Sequence, residues 1–164
     1  MTTYQYCTPE WLSESATRYL ENPKFKQAMQ KLTIKVAFQI NANSELGIDE
    51  DILFAAYVNQ GEIEKLAFIS KPQAEKEAEY ILAASPQQWA KILRKESMFA
   101  GDVMLGRITI VKGSKPGVIK IAPYSSTFVD ALTQFAVQYP DEMSAEELAQ
   151  YRERISQFRS ELGV

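Results

Sequence analysis

The chain has 164 residues, of which 46% are hydrophobic and 24% are charged, and its formal net charge is −3. This composition is ordinary for a globular protein, and the length suits one domain with a sizeable core. The acidic balance argues against nucleic acid as a partner, because surfaces that bind nucleic acid carry a clear basic excess.

Histidine is absent, and Cys7 is the only cysteine. The chain therefore lacks the commonest general base, the commonest metal ligand and the usual activator of a serine or cysteine nucleophile. We accordingly expect no enzyme, no catalytic residue, no metal and no cofactor. The sequence shows no secretory signal and no apolar run long enough to span a bilayer, so we expect a cytoplasmic protein without an integral membrane segment.

Helix signals open the chain. Thr8-Pro9 and Asn22-Pro23 each combine an N-cap residue with a proline in the first helical turn, which predicts two short helices. The pattern then changes to alternation over Thr33–Asn41, which predicts a strand with one buried face that includes Phe38.

Four further strands and one hairpin follow from the pattern. Glycine supplies the positive φ that a hairpin turn requires at Asn59-Gln60-Gly61. We interpret Lys71–Glu77 as a polar connection. The predicted strands are Ile52–Val58, Glu62–Ile69, Ala78–Ala84 and Arg107–Lys112.

The stretch Ser85–Gly113 is the most informative part of the chain. A helix begins at Pro86, a short apolar turn follows, and Gly106 precedes the last predicted strand. The large apolar side chains of this stretch suggest a lid over a sheet, which suits holding an apolar ligand better than cutting one.

Helices are predicted again in the last third of the chain. Pro123 separates the predicted helices Val118–Ala122 and Tyr124–Gln138. Ser144 and Glu147 form a capping box, and the apolar stripe that follows predicts a final helix over Ser144–Leu162.

Laid out in this order, the chain resembles the sterol carrier protein 2 (SCP2) family over roughly Leu32 to Gln138. The segments that carry the resemblance are ILFAAYVNQGEIEKLAF, YILAASPQQWAKIL and MLGRITIVKGS. The matching positions are Ser85, Pro86, Trp89, Ile92, Leu93, Gly106, Arg107, Lys112 and Gly113.

The resemblance implies an α+β fold in which helices cover a five-stranded, mainly antiparallel sheet and enclose an apolar cavity. Residues 1–164 would form one lipid-binding domain, with a core of about 32–138 and helical extensions at both ends. The implied function is the non-catalytic binding or carrying of lipids such as fatty acyl chains or sterols.

A cavity site would be formed by helix residues that face the sheet. The candidates are Trp89, Ile92, Leu93, Phe99, Val103, Met104, Phe128, Leu132 and Phe135. Each of these side chains, taken alone, is also what an ordinary filled core would contain. At the mouth, Lys91, Arg94, Lys95 or Arg107 would be available to pair with an anionic head group.

Two alternatives stay open. In the first, the cavity is filled, and the domain serves as an accessory or oligomerisation subunit of a lipid-metabolising enzyme. Tyr4, Tyr6 and Trp11 would then cover an apolar patch or mediate pairing of two chains as a homodimer. In the second, carboxylates, tyrosines or lysines catalyse a reaction, although the sequence contains no converging set of such groups.

Overall fold

Seven strands and eight α-helices lie within residues 2–164, the part of the chain that this computed structural model describes. The strands are β1 (Thr3–Gln5), β2 (Thr33–Ile40), β3 (Ile52–Asn59), β4 (Glu62–Ile69), β5 (Tyr80–Ala84), β6 (Thr109–Lys112) and β7 (Ala136–Gln138). The helices are α1 (Pro9–Glu21), α2 (Pro23–Met29), α3 (Lys71–Glu77), α4 (Pro86–Leu93), α5 (Phe99–Met104), α6 (Lys115–Ile121), α7 (Ser125–Leu132) and α8 (Ala145–Leu162).

A five-stranded sheet in the order β4-β3-β2-β5-β6 forms the centre of the fold. Its neighbouring strands are antiparallel except for β2 and β5, which run parallel. The prediction of an α+β fold with a mainly antiparallel five-stranded sheet is confirmed. The turn between β3 and β4 has positive φ at Gln60 (49°) and Gly61 (82°), as a two-residue hairpin turn of type I′ requires.

The helices begin where the capping residues predict. The Thr8 side chain accepts a hydrogen bond from the Trp11 amide at the start of α1, and Ser85 accepts one from the Gln88 amide at the start of α4. The capping box of Ser144 and Glu147 is present at the start of α8. These side chains satisfy amide groups that the first turn of a helix leaves unpaired.

The structure corrects two segment predictions. Lys71–Glu77 is helix α3 rather than a polar connection, and its N-cap is Ser70. Its single buried residue, Ala74, gives no apolar stripe that would have indicated a helix. The predicted helix Tyr124–Gln138 ends at Leu132, because Ala136–Gln138 instead pairs in parallel with β1 at the other end of the chain.

The two faces of the sheet pack against different helices. One face joins α1, α4, α5, α7 and α8 in the largest apolar cluster, to which α8 contributes Tyr151, Ile155 and Phe158. The other face packs against α3 through Ala74. The helices at both ends of the chain therefore bury side chains in the same core as the sheet.

Tyr151 offers a test of this packing. Its buried hydroxyl donates a hydrogen bond to the backbone carbonyl of Tyr6, which joins α8 to the segment after β1. Tyr151→Phe should lower the free energy of unfolding by about 1–3 kcal/mol, since the carbonyl loses its partner inside the core. Urea denaturation measures this, with the exposed Gln150→Ala on the same helix as a control. Equal stability of the two variants would contradict the packing.

Candidate ligand-binding cavity

An apolar cavity of about 60 Å³ lies between the sheet and the helices that cover its larger core. The sheet supplies its floor, and α1, α4, α5 and α7 supply the walls. The lining residues are Tyr6, Trp11, Val36, Phe38, Phe54, Trp89, Ile92, Leu93, Phe99, Ile121, Ser125, Phe128, Val129 and Leu132.

Phe38 on β2 is the centre of the aromatic part of the lining. Its ring centroid lies 5.3 Å from that of Phe54, 5.5 Å from that of Trp89 and 6.3 Å from that of Phe128. The contacts with Trp89 and Phe128 are edge-to-face, the arrangement that aromatic quadrupoles favour. This packing joins the floor of the cavity to α4 and α7.

The polar groups of three lining side chains are engaged by backbone carbonyls. The indole N–H of Trp11 donates to the Leu132 carbonyl, and that of Trp89 donates to the Gln39 carbonyl, each at 2.9 Å. The Ser125 hydroxyl donates to the Ala122 carbonyl at 2.7 Å. The space inside is consequently bounded almost entirely by hydrocarbon and ring surfaces, which suit an apolar ligand.

A second, smaller apolar cavity of about 20 Å³ lies beside the first. Phe38, Phe54, Phe128 and Leu132 line both cavities. Because Phe128 and Leu132 belong to α7, a displacement of this helix would change the walls of both spaces together.

This architecture matches solved structures of the sterol carrier type. A conserved hypothetical protein of Thermus thermophilus, described as possibly a sterol carrier protein, aligns with a TM-score of 0.69 and 15% identity over 80% of this chain and 90% of its own. A crystal structure of sterol carrier protein 2 gives a TM-score of 0.61 and 16% identity over 76% of this chain and 92% of its own. The chain has the SCP2-like fold.

A third solved structure has a similar fold at lower sequence identity. The apo form of sterol carrier protein 2 from Yarrowia lipolytica gives a TM-score of 0.50 and 9% identity over 72% of this chain and 86% of its own. Neither protein-family models nor curated proteins match the sequence. The similarity of this chain to these structures is therefore one of fold, at low sequence identity.

The structure brings six of the nine predicted site residues together in the lining of the cavity. These six are Trp89, Ile92, Leu93, Phe99, Phe128 and Leu132. The other three lie elsewhere. Val103 is buried in the surrounding core, Phe135 packs edge-to-face on Tyr4 at 4.8 Å, and the side chain of Met104 is 60% exposed.

The lining also contains residues that the sequence did not single out as site residues. Val36 and Phe38 belong to the inward face of β2, which the alternation of this strand predicted. Tyr6 and Trp11 come from the first 11 residues, and only tertiary contacts place them in the cavity. The sequence indicated Tyr6 and Trp11 only as cover for an apolar patch or as a pairing surface. The structure buries both side chains.

Three of the four cations proposed for the mouth form ion pairs within the protein. Arg94 binds the Asp141 carboxylate with two hydrogen bonds of 2.8 Å each, and these bonds lower the pKa of Asp141. Lys95 pairs with Asp130 at 2.9 Å. Arg107 pairs with the buried Asp102 at 3.2 Å, so these three cations are already engaged in the structure.

Asp102 is a buried residue of α5, the helix whose Phe99 lines the cavity, and its hydrogen bonds fix this helix to the neighbouring segments. The Ser97 hydroxyl donates to both carboxylate oxygens of Asp102, at 2.7 and 2.6 Å. The Asp102 backbone carbonyl accepts hydrogen bonds from the amides of Arg107 and Ile108. Gly101-Asp102, which lies inside α5, is therefore part of an anchored helix.

Within residues 2–164, histidine, cysteine, aspartate and glutamate side chains form no cluster of three that could hold a metal ion. In the same part of the chain, no helix combines the length and the apolar character needed to cross a lipid bilayer.

Cys7 provides a test of the N-terminal packing beside the cavity. The side chain is fully buried, and this burial raises the pKa of its thiol, an effect that nearby Arg159 partly opposes. A raised pKa keeps the thiol protonated near pH 8, and the protonated form does not react as a nucleophile. Labelling by Ellman's reagent at about pH 8 should therefore be at least about a hundredfold slower in the folded than in the unfolded protein. Equal labelling rates would show that this packing is absent.

Proposed function

We propose that the protein binds and carries lipids, with a hydrocarbon chain held in the apolar cavity and no chemical step. The observation that carries the proposal is a cavity lined by aromatic and aliphatic side chains, in which both indole N–H groups are already bonded to backbone. The SCP2-like fold adds support, because two of the matching structures are named sterol carrier protein 2.

The energy of such binding follows from the buried hydrocarbon. Each CH₂ group removed from water contributes about 0.8 kcal/mol. Micromolar affinity corresponds to about −8 kcal/mol, which equals about ten such groups before the cost of association is counted. A fatty acyl chain of ordinary length supplies enough apolar surface.

The cavity must widen to accept that chain. Its volume of about 60 Å³ is far below the roughly 300–1,000 Å³ of pockets that hold drug-sized ligands. The wall formed by α7 is suited to move. Ser125, Phe128 and Val129 are only half buried, and no side chain caps the start of this helix. We propose that α7 moves outward as the fatty acyl chain enters the cavity.

The small volume also favours a second candidate function. If the aromatic side chains fill the space instead of lining an expandable one, the protein would be an accessory or oligomerisation domain that serves a lipid-metabolising enzyme. The two candidates differ in one property, which is whether the isolated protein takes up an acyl chain.

Val129→Phe tests lipid binding, because a larger side chain on α7 would occupy the cavity. Titration with a fluorescent fatty acid should show micromolar binding to the unchanged protein and binding weaker by about tenfold or more for the variant. The matched control is Val111→Phe on β6, which lies outside the cavity and is exposed. This control should bind as the unchanged protein does.

Failure of the unchanged protein to bind at micromolar concentrations would favour the accessory domain. Binding that both variants retain equally would place the ligand outside this cavity.

A further inference from the structure

Positive charge is concentrated in one segment of the chain. The 48 residues Ser85–Leu132, which include α4, α5, α6 and α7, contain seven basic and three acidic side chains, a net charge of +4. The remainder contains eleven basic and eighteen acidic side chains, a net charge of −7. The segment that provides most of the helical walls of the cavity is therefore basic in an otherwise acidic protein.

Exposed apolar side chains are concentrated in the same segment. Of the seven large hydrophobic side chains that are exposed within residues 2–164, five lie here, namely Met98, Met104, Leu105, Val111 and Ile119. The other two are Leu20 and Leu162. Positive charge and exposed apolar side chains are therefore concentrated in the same segment of the chain.

Three of these exposed apolar side chains lie at the ends of α5. Met98, Met104 and Leu105 are 80%, 60% and 68% exposed. Met98 and Leu105 are the N-cap and C-cap residues of the six-residue helix α5, and Met104 is the last residue of the helix. Phe99 of the same helix lines the cavity, so α5 presents apolar groups both to the ligand space and to the exterior.

We call the three exposed side chains of Met98, Met104 and Leu105 the apolar tip. Gly101 lies within α5 and Gly106 directly follows Leu105. A Cβ atom added at either glycine would meet no other atom within 4 Å, so the surface is open at both positions. An exposed apolar tip on an open surface can enter a fluid interface, whereas a folded protein partner requires a complementary surface.

Lysines without ion pairs belong to the same segment of the chain as the tip. Lys91, Lys115 and Lys120 are exposed and form no ion pair within the described part of the chain. Among the three acidic side chains of the segment, Asp102 is buried and Asp130 pairs with Lys95. Glu96 is the one acidic side chain of the segment that remains exposed and without an ion pair within residues 2–164.

We infer that the segment Ser85–Leu132 docks on the surface of an anionic lipid bilayer, with Met98, Met104 and Leu105 inserted among the lipids and the lysines attracted to the phosphate groups. The role of docking rests on the proposed function, because it would bring the cavity wall at Phe99 beside the source of the ligand. Electrostatic attraction and apolar insertion are the two contributions that hold interfacial proteins on membranes.

Co-sedimentation with vesicles tests this inference. The protein should bind phosphatidylcholine vesicles that contain roughly 30% phosphatidylglycerol, and pure phosphatidylcholine vesicles at least about tenfold more weakly. Binding to the anionic vesicles should also weaken when about 0.5 M salt is added, because salt screens the charge of the lysines.

Two sets of variants identify the surface. The triple substitution Met98→Ser, Met104→Ser and Leu105→Ser should weaken vesicle binding by about tenfold or more. The matched control, Leu20→Ser with Leu162→Ser, removes the two exposed apolar side chains outside the segment and should have no effect. Likewise, Lys91→Gln, Lys115→Gln and Lys120→Gln should weaken binding, whereas Lys24→Gln, Lys31→Gln and Lys71→Gln should weaken it less.

The contradicting outcomes are distinct. No vesicle binding, or equal losses in the test and control sets, would overturn the inference. A dimer in solution that becomes monomeric in the apolar-tip variant would instead identify the tip as a contact between two copies of the chain. Failure of the proposed function is separate, since fatty-acid titration in vesicle-free buffer should be unchanged in the apolar-tip variant.

Discussion

The packing of aromatic rings around Phe38 is the contact on which the candidate site depends. Phe38 lies on β2, the middle strand of the five-stranded sheet, and its ring meets Phe54 from the neighbouring strand, Trp89 from α4 and Phe128 from α7. Phe38, Phe54 and Phe128 line both cavities, so one set of contacts fixes the helices on the sheet and borders the space between them.

Polar anchors keep this apolar arrangement in place from outside. The indole N–H of Trp89 reaches the backbone of β2, and that of Trp11 reaches the end of α7, so each ring is fixed at its polar edge while its faces remain apolar. Asp102 holds α5 in a comparable way through Ser97. The start of α7 has no side-chain cap, and its residues Ser125, Phe128 and Val129 are only half buried, so this is the part of the wall that we propose to move.

Local signals in the sequence were sufficient for most of the secondary structure, and the arrangement of the sheet followed from the resemblance to the SCP2 family. Capping residues placed α1, α2, α4 and α8, and alternation with a glycine turn placed the central hairpin. Helix α3 was missed because it has one buried residue and no apolar stripe. Strands β1 and β7 were missed because they have three residues each and exist only as a pair between distant parts of the chain. The candidate site shows the same limit. Periodicity could not orient the six-residue helix α5, so Met104 seemed as inward as Phe99, although it is exposed. Trp11 joins the cavity only through the tertiary fold.

The central claim is that the apolar cavity opens to hold a lipid chain, and the most direct test is to identify what the protein carries. Native mass spectrometry of protein purified without detergent, followed by organic extraction and lipid analysis, measures this. The account predicts a species heavier than the bare chain by the mass of one lipid, which the extraction then identifies. A protein that shows only the mass of the bare chain and also fails to bind added fatty acids would contradict the account. That result would favour an accessory domain whose cavity is filled by its own side chains.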